Sequence, residues 1–538
     1  MLLSSLLLAF VPAGFAATAD DWRGRSIYQI ITDRYALPAG ANPNTCDTSK
    51  RTWCGGTWNT IRENLDYIQN AGFTAIWISP VSQNYEGPTT AYGDAYHGYW
   101  IADASQLNAR FGTADDLKEL SAEVHRRGMY LMVDIVANNV MATSTTPDLS
   151  TFMFKEQSQY HPYCPIDWLN NTSVQNCWLG DSVVPLPDIN TQDPGVQATY
   201  GTWIQNLVQE YSIDGLRIDA AKHVSADFWP GFCGKAGVFC MGEVFGDDIA
   251  TASQYQDAMD SILNYPMYDA LVQAFSIPGP RNVSAVTTVL QDIQQNMKDP
   301  TVMGNFLENQ DVPRWHNISI DQQSLYNAMV FTFMSDGIPI MYYGQEQGLS
   351  GNADPYNRGP LWPSAYAQTT TYNMTKSLNQ LRNYLVNSTD WAKSRTQVLN
   401  IESDGIAIMK GDVVTILTNI GSPPQNVSVV AYTPWENSFS STEYASLVFS
   451  HPAPADTFYS IFTCKQYAVG SNGTLEVQYT LGGVPVVLVP NDIIKDAGFC
   501  QWASHIQADV PVNNGALAMA PRAVALVLSA VVGLSVLV

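Results

Sequence analysis

Short apolar runs recur along the first two thirds of the chain, at residues 26–31, 75–78, 130–135, 215–218, 239–244, around Ile262, at 302–307 and at 338–342. Each is rich in β-branched or aliphatic residues, the pattern of a strand buried on both faces in a parallel sheet. Segments of helical period separate them. In one, Thr113 with Asp115 and Asp116 offers an N-cap and an acidic first turn, and Leu117, Leu120 and Val124 fall on one face. His125, Arg126, Arg127 and Gly128 then supply C-terminal cations and a stop. Eight such units predict an α/β fold, a (β/α)8 barrel.

Two stretches break the rhythm. Residues 139–189 are polar, contain Pro and carry two cysteines. They are too long for an ordinary loop and predict a subdomain inserted after the third strand, over the barrel mouth. After about Ser394 the pattern turns to short alternating runs, at 406–409, 413–417, 427–430 and 484–489, punctuated by Gly, Pro and Asn. This predicts a C-terminal antiparallel β domain. The expected division is a leader at 1–19, a barrel at 20–138 and 190–393, the insert at 139–189, the β domain at 394–500, a linker at 501–513 and a terminal signal at 514–538.

Four blocks end apolar runs in a carboxylate: DIVANN at 134–139, GLRIDAAKH at 215–223, GEVF at 242–245 and FLENQD at 306–311. Barrel strands deliver polar groups to one face in this way. Retaining glycoside cleavage needs a carboxylate nucleophile on one face of the sugar and a protonated carboxyl beside the leaving oxygen, both held by rigid strand ends. Asp219 and Glu243 suit these roles. Arg217 lies two residues before Asp219 in an extended run, so both side chains point the same way and the guanidinium favours the ionised carboxylate. Glu243, near the end of an apolar strand, is expected to have a raised pKa suited to proton donation. Asp311 would hold sugar hydroxyls and favour a positively charged transition state.

Charge and cysteines narrow the setting. With 26 basic and 49 acidic residues the formal charge is -23, which disfavours nucleic acid and anionic lipid as partners. The first ten residues form a short apolar core followed by small residues, a secretory signal with cleavage expected after Ala16 or Ala19. Sequons at Asn170, Asn171, Asn282, Asn317, Asn373, Asn387, Asn426 and Asn472 agree with that route. The spacing of the eight cysteines suggests pairs Cys46 with Cys54, Cys164 with Cys177, Cys233 with Cys240, and Cys464 with Cys500. A metal cluster would need paired C-x-x-C spacing, which they lack. Small residues at Asn514, Gly515 and Ala516, then an uncharged apolar tail from Ala523, have the layout of a GPI-attachment signal with Asn514 as the lipidation site. A retained C-terminal membrane tail is the alternative.

Taken with the stretches CGGTW at 54–58, TTAYGDAYHGYW at 89–100, RGMYLMVDIVAN at 127–138 and DGIPIMYYGQEQ at 336–347, these blocks identify the chain as a member of the α-amylase family, glycoside hydrolase family 13. It resembles fungal members from about Trp22 through Cys500. The resemblance implies a barrel with a B domain and a C-terminal β-sandwich, and α-1,4-glucan as substrate. It makes Asp219 the nucleophile, Glu243 the acid/base and Asp311 the transition-state stabiliser. It also implies that His97 and Tyr99 line the cleavage subsite beside Trp100, that Lys222 and His223 meet the leaving-group side, and that Asp354 and Arg358 bind further glucose hydroxyls. One structural Ca2+ would be held by Asn138, Gln175, Asp188 and the His223 carbonyl, weakened because Gln175 stands where the family carries Glu.

Two departures redirect the reading. Asn139 and Gln310 stand where family enzymes usually carry His, and neither can become cationic. Together with the tail, they resemble a fungal subgroup of membrane-anchored α-glucanotransferases thought to act on cell-wall α-glucan. The expectation is a monomeric 4-α-glucanotransferase with residual α-amylase activity, tethered at the plasma membrane or wall. The alternatives are a plain secreted endo-α-amylase and an inactive glucan-binding wall protein.

Overall fold

The computed structural model describes residues 17–422, 446–450, 457–471, 474–478 and 483–500. The leader through residue 16, the run at 427–430, sequons Asn426 and Asn472, and the 501–538 segment with Asn514 lie outside the described residues.

Eight parallel strands form the barrel: β1 (Ile27–Ile30), β2 (Ala75–Ile78), β3 (Tyr130–Ile135), β4 (Gly215–Ile218), β5 (Phe239–Gly242), β6 (Ser261–Ile262), β7 (Gly304–Asn305) and β8 (Ile338–Tyr342). Their order is β6-β5-β4-β3-β2-β1-β8-β7, and a parallel bridge between Leu263 and Gly304 closes the circle. Side-chain alternation divides each strand between two cores. Ile27, Ala75, Trp77, Met132, Phe239, Met241, Ile338 and Ile340 pack together inside. Their neighbours Tyr28, Ile76, Leu131, Val133, Leu216 and Cys240 pack outward in the helix layer. Runs apolar on both faces therefore follow from burial on both sides.

The helix α1 (Ala114–Arg126) forms as its sequence predicts, with a Thr113–Asp116 capping box and Leu117, Leu120 and Val124 buried. Helix α2 (Pro194–Tyr211) begins with Pro in its first turn and an Asp193 cap, and it packs on the same layer. Trp22 plugs the end of the barrel remote from the carboxylates, donating from its indole to the Asp214 carbonyl at 2.9 Å. Only glycine fits at position 215, where a Cβ would lie 2.7 Å from the Trp22 ring. Ala17 and Thr18 already belong to the fold. Phe239 donates its N–H to the Ala17 carbonyl, and Thr18 caps a short helix at Ala19–Arg23. Of the two expected cleavage points, the one after Ala16 leaves these contacts intact.

Bridges Asn139↔Asp188 and Tyr160↔Ile189 close the insert on itself, the Ile189 N–H donates to the barrel's Asn138 carbonyl at 2.9 Å, and the insert holds a short helix (Asn171–Asn176) and a small hairpin. Beyond the barrel lies a six-stranded antiparallel sheet including Gly405–Lys410, Val413–Thr418 and Val486–Pro490. A buried ion pair ties it to the barrel: Lys410 Nζ lies 2.9 Å from Asp336 Oδ1, which also accepts from the Thr396 N–H and hydroxyl at 2.9 Å each. Burial lowers the Lys410 ammonium to about 8 against the pull of Asp336.

Three of the four expected cysteine pairs are joined, Cys46–Cys54, Cys164–Cys177 and Cys464–Cys500. The fourth expectation is corrected, since Cys233 and Cys240 are free thiols. They interact directly, but burial and the neighbouring thiol push Cys240 well up, which suppresses the thiolate that disulfide formation needs.

Replacing Lys410 by Ala leaves the Asp336 carboxylate buried with only neutral donors. The expected cost is about 3 kcal/mol, read as a lower denaturation midpoint with the slope unchanged; an unmoved midpoint would mean that the pair does not couple sheet to barrel.

Candidate active site

The strand register builds the centre of the site. β3 pairs Asp134 with Arg217 across to β4, and β4 pairs Ile218 with Gly242 of β5. The next residues, Asp219 and Glu243, thus emerge side by side, and their N–H groups still donate along the ladder to the Ile135 and Ile218 carbonyls at 2.8 Å each. Arg217, fully buried, contacts three carboxylates: Asp134 at 2.9 Å, Asp219 at 2.8 Å and Glu243 at 2.9 Å. Glu243 is fixed further by the Ala220 N–H on Oε2 at 2.8 Å and the Tyr265 hydroxyl on Oε1 at 3.2 Å. One guanidinium touches both Asp219 and Glu243, so the two carboxyls lie close together, as direct attack on a sugar requires.

This cluster is short of positive charge. Burial pushes the Asp219 carboxyl well up, Arg217 pulls it down, and Glu243, Asp134 and Asp311 raise it again. Asp311 is pushed up to about 6 by burial and by Glu243, against Arg358 and Arg217. Interacting carboxyls in such a site titrate as a unit and retain a proton that isolated acids would lose.

Over this centre lies a cleft of ≈ 230 Å³ lined by His97, Tyr99, Trp100, Asp219, Gln310, Asp311, Asp354 and Arg358, with Tyr92 at its edge. His97 accepts the Tyr99 N–H on Nδ1 at 3.0 Å, which leaves Nε2 to carry the proton of a neutral ring. Burial and Arg358 depress its pKa to about 3. The Tyr99 ring stacks on His97 with centroids 5.8 Å apart, while its hydroxyl donates to Asp134 at 2.7 Å. Opposite, Arg358 reaches Asp311 at 3.3 Å and Asp354 at 3.4 Å. Gln310 accepts the Gln29 amide on Oε1 at 2.6 Å.

Lys222 and His223 stand to one side of this cleft. Lys222 donates to the Phe245 carbonyl at 2.9 Å, and the His223 ring meets the edge of Trp168 at 5.8 Å. Trp168, Leu169 and Phe245 are 67%, 98% and 51% exposed, an apolar rim around Lys222 and the His223 imidazole, whose pKa burial lowers. Asn139 does not line the cleft; it is buried and bridged to Asp188.

The profile described as "Alpha amylase, catalytic domain" matches residues 29–402, and that of "Alpha-amylase, domain C" matches 398–507. The chain belongs to the α-amylase family. Alpha-amylase 2 of Schwanniomyces occidentalis is 40% identical over 501 residues, covering 91% of this chain and 94% of that one. Alpha-amylase 1 of Lipomyces kononenkoae is 48% identical over 70% of this chain, which spans only 61% of that relative's length. The structure of an α-amylase from Malbranchea cinnamomea is 37% identical, with a TM-score of 0.84 covering 90% of this chain and 100% of that one.

As an α-amylase-family glycosidase, the chain is also expected to hold calcium. Among the described residues, no group of three or more His, Cys, Asp or Glu side chains is placed to hold a metal. The expected cage is instead one of mixed oxygens. The Asn138 side chain meets Asp188 Oδ1 at 3.0 Å and the His223 carbonyl at 3.1 Å. With its oxygen facing them, three oxygens converge without a donor, which suits a hard cation; with the amide reversed, its NH2 donates to both. Gln175 is turned toward the Tyr255 hydroxyl, 3.1 Å away. The second oxygen of Asp188 is held by His161 at 2.5 Å. The donor set therefore fits a cation, with a single carboxylate to bind it.

Some members of the α-amylase site carry no signal in the motifs. Tyr265 arrives from the segment after β6, and Arg51 reaches Asp354 at 3.1 Å from a distant loop. Asp134 was visible at the head of DIVANN, yet its place behind Arg217 depends on strand register.

The depressed pKa of His97 has a definite sign. The native state binds fewer protons than the unfolded chain between pH 6.5 and about 3, so this term is full above pH 6.5 and is lost as pH falls toward 3. A His97→Gln variant should therefore lose less stability than the parent between pH 7 and pH 4, by a few kcal/mol at most, on the order of 1.4 per pH unit. Parallel stability curves in chemical denaturation at several pH values would contradict a neutral buried His97.

Proposed function

We propose that the protein is a retaining endo-α-amylase that hydrolyses α-1,4-glucans. The observation that carries this is the shared grip of Arg217 on Asp219 and Glu243 beneath a cleft walled by His97, Tyr99 and Asp311. In this reading Asp219 attacks the anomeric carbon while Glu243 passes the cluster's proton to the departing glycosidic oxygen. A glucosyl ester forms on Asp219, and the leaving chain gains a hydroxyl end. Water, deprotonated by Glu243, then displaces Asp219. Asp311, backed by Arg358, balances positive charge at the ring, and neutral His97 donates from Nε2 to a sugar hydroxyl. The Tyr99 face takes the apolar side of the pyranose. Three disulfides support an oxidising, extracellular setting, and attachment through the 514–538 segment belongs to the same reading.

A second reading, 4-α-glucanotransfer, is favoured by one feature. The exposed rim of Trp168, Leu169 and Phe245 beside Lys222 and His223 offers an acceptor sugar an apolar platform at water's expense. The names of the relatives favour hydrolysis as the main outcome. Incubation with maltoheptaose separates the two: shorter chains only are expected from hydrolysis, whereas products longer than the donor would require transfer. Asp219→Asn should abolish both by about 10⁴-fold or more; retained turnover would remove the nucleophile from the scheme.

Calcium would be held by Asn138, Asp188 and the His223 carbonyl, with Gln175 within the same wall. Bound there, it would pin the insert to β4's trailing loop. Added calcium is expected to raise the melting temperature by a few degrees, consistent with weak binding to one carboxylate. A flat titration into the millimolar range would speak against the site.

A further inference from the structure

A cleft larger than the catalytic one lies elsewhere on the described molecule. It measures ≈ 610 Å³ and lies between helix α2, the strand Ile101–Leu107 and Met153 of the insert. Its apolar wall is formed by Trp203, Leu207 and Tyr211, successive members of one face of α2. Exposed amides of Gln106 and Asn206 border it. Thr199 and Thr202 also line it, and both donate their hydroxyl protons to the backbone one turn earlier, at 2.8 Å and 3.0 Å. That leaves oxygen lone pairs for a ligand's hydroxyls.

The cleft carries no net charge. Its one carboxylate, Glu210, is paired with Lys118 at 2.9 Å. On a chain of formal charge -23, such a neutral lining offers nothing to a phosphate or a nucleic acid. Its volume is that of a small-ligand site rather than of a protein interface. Apolar walls with amide and hydroxyl borders match a sugar, which presents C–H faces and a ring of hydroxyls.

The position selects which sugar. The strand Ile101–Leu107 starts directly after Trp100 of the catalytic cleft, and Gln106 lies near its far end. Six residues of strand span about 20 Å, a distance that one polysaccharide chain covers easily. We infer that this cleft is a second, non-catalytic binding site for a segment of the same α-glucan, resting on α-glucan as the substrate proposed above. Holding a remote segment raises the local concentration of chain at the catalytic centre, and does so only for substrates long enough to reach both.

Kinetics of Thr202→Arg and of the double variant Gln106→Ala/Asn206→Ala test this against the parent, with amylose and maltopentaose as substrates. Both variants change exposed positions outside the catalytic machinery. The expected result is a KM for amylose raised about threefold or more, with kcat on amylose and both constants on maltopentaose unchanged. An unmoved amylose KM in both variants overturns the second site and leaves the proposed activity standing. An equal loss on both substrates also overturns it, since that is the signature of disturbed folding. Failure of the unsubstituted enzyme to cleave either substrate would instead sink the proposed function.

Discussion

One buried guanidinium organises the reacting end of this barrel. Arg217 has no access to solvent and contacts Asp134, Asp219 and Glu243, which come from or just beyond three adjacent strands. Taking an arginine out of water costs several kcal/mol unless its charge is met. Here it is more than met, so the excess negative charge falls on the acidic groups and raises Asp134 and Asp219 after burial has done the same. The position of the carboxyls and their readiness to hold a proton thus have one origin. Tyr99 is tied to the same hub through Asp134.

The parts legible in sequence are those set by local pattern. Doubly apolar runs located the barrel strands, and the cap and buried face of α1 followed from its own residues. Asp219 and Glu243 were legible because each follows its strand directly, so strand identity alone fixes where they emerge. Asp311 lies several residues past β7 and is placed by a turn in which Asn309 accepts its N–H at 2.7 Å. Only the joint order of the blocks pointed to it.

What stayed hidden depends on long-range geometry. Short spacing between Cys233 and Cys240 suggested a bond, but a helix and a strand carry them, both are free, and burial pushes the Cys240 thiol well up. The two positions where histidine gives way to amides also part company. Gln310 lines the cleft, with its side-chain oxygen accepting from the Gln29 amide. Asn139 is buried against the insert instead. No sequence pattern distinguishes a wall residue from a cleft residue one shell away.

In the scheme proposed above, water and sugar would compete for the glucosyl intermediate. The hub at Arg217 is dry and touches neither acceptor, so it cannot prefer one over the other. Selection must fall to groups that meet the incoming molecule. On the proposed acceptor side those would be Lys222, His223 and the exposed rim of Trp168, Leu169 and Phe245. The rim is mostly open in the free protein, so its apolar surface becomes buried only when a second sugar chain arrives, and water gains nothing comparable. In that scheme the carboxylate centre would govern whether the glycosidic bond breaks, and the rim would govern what takes its place.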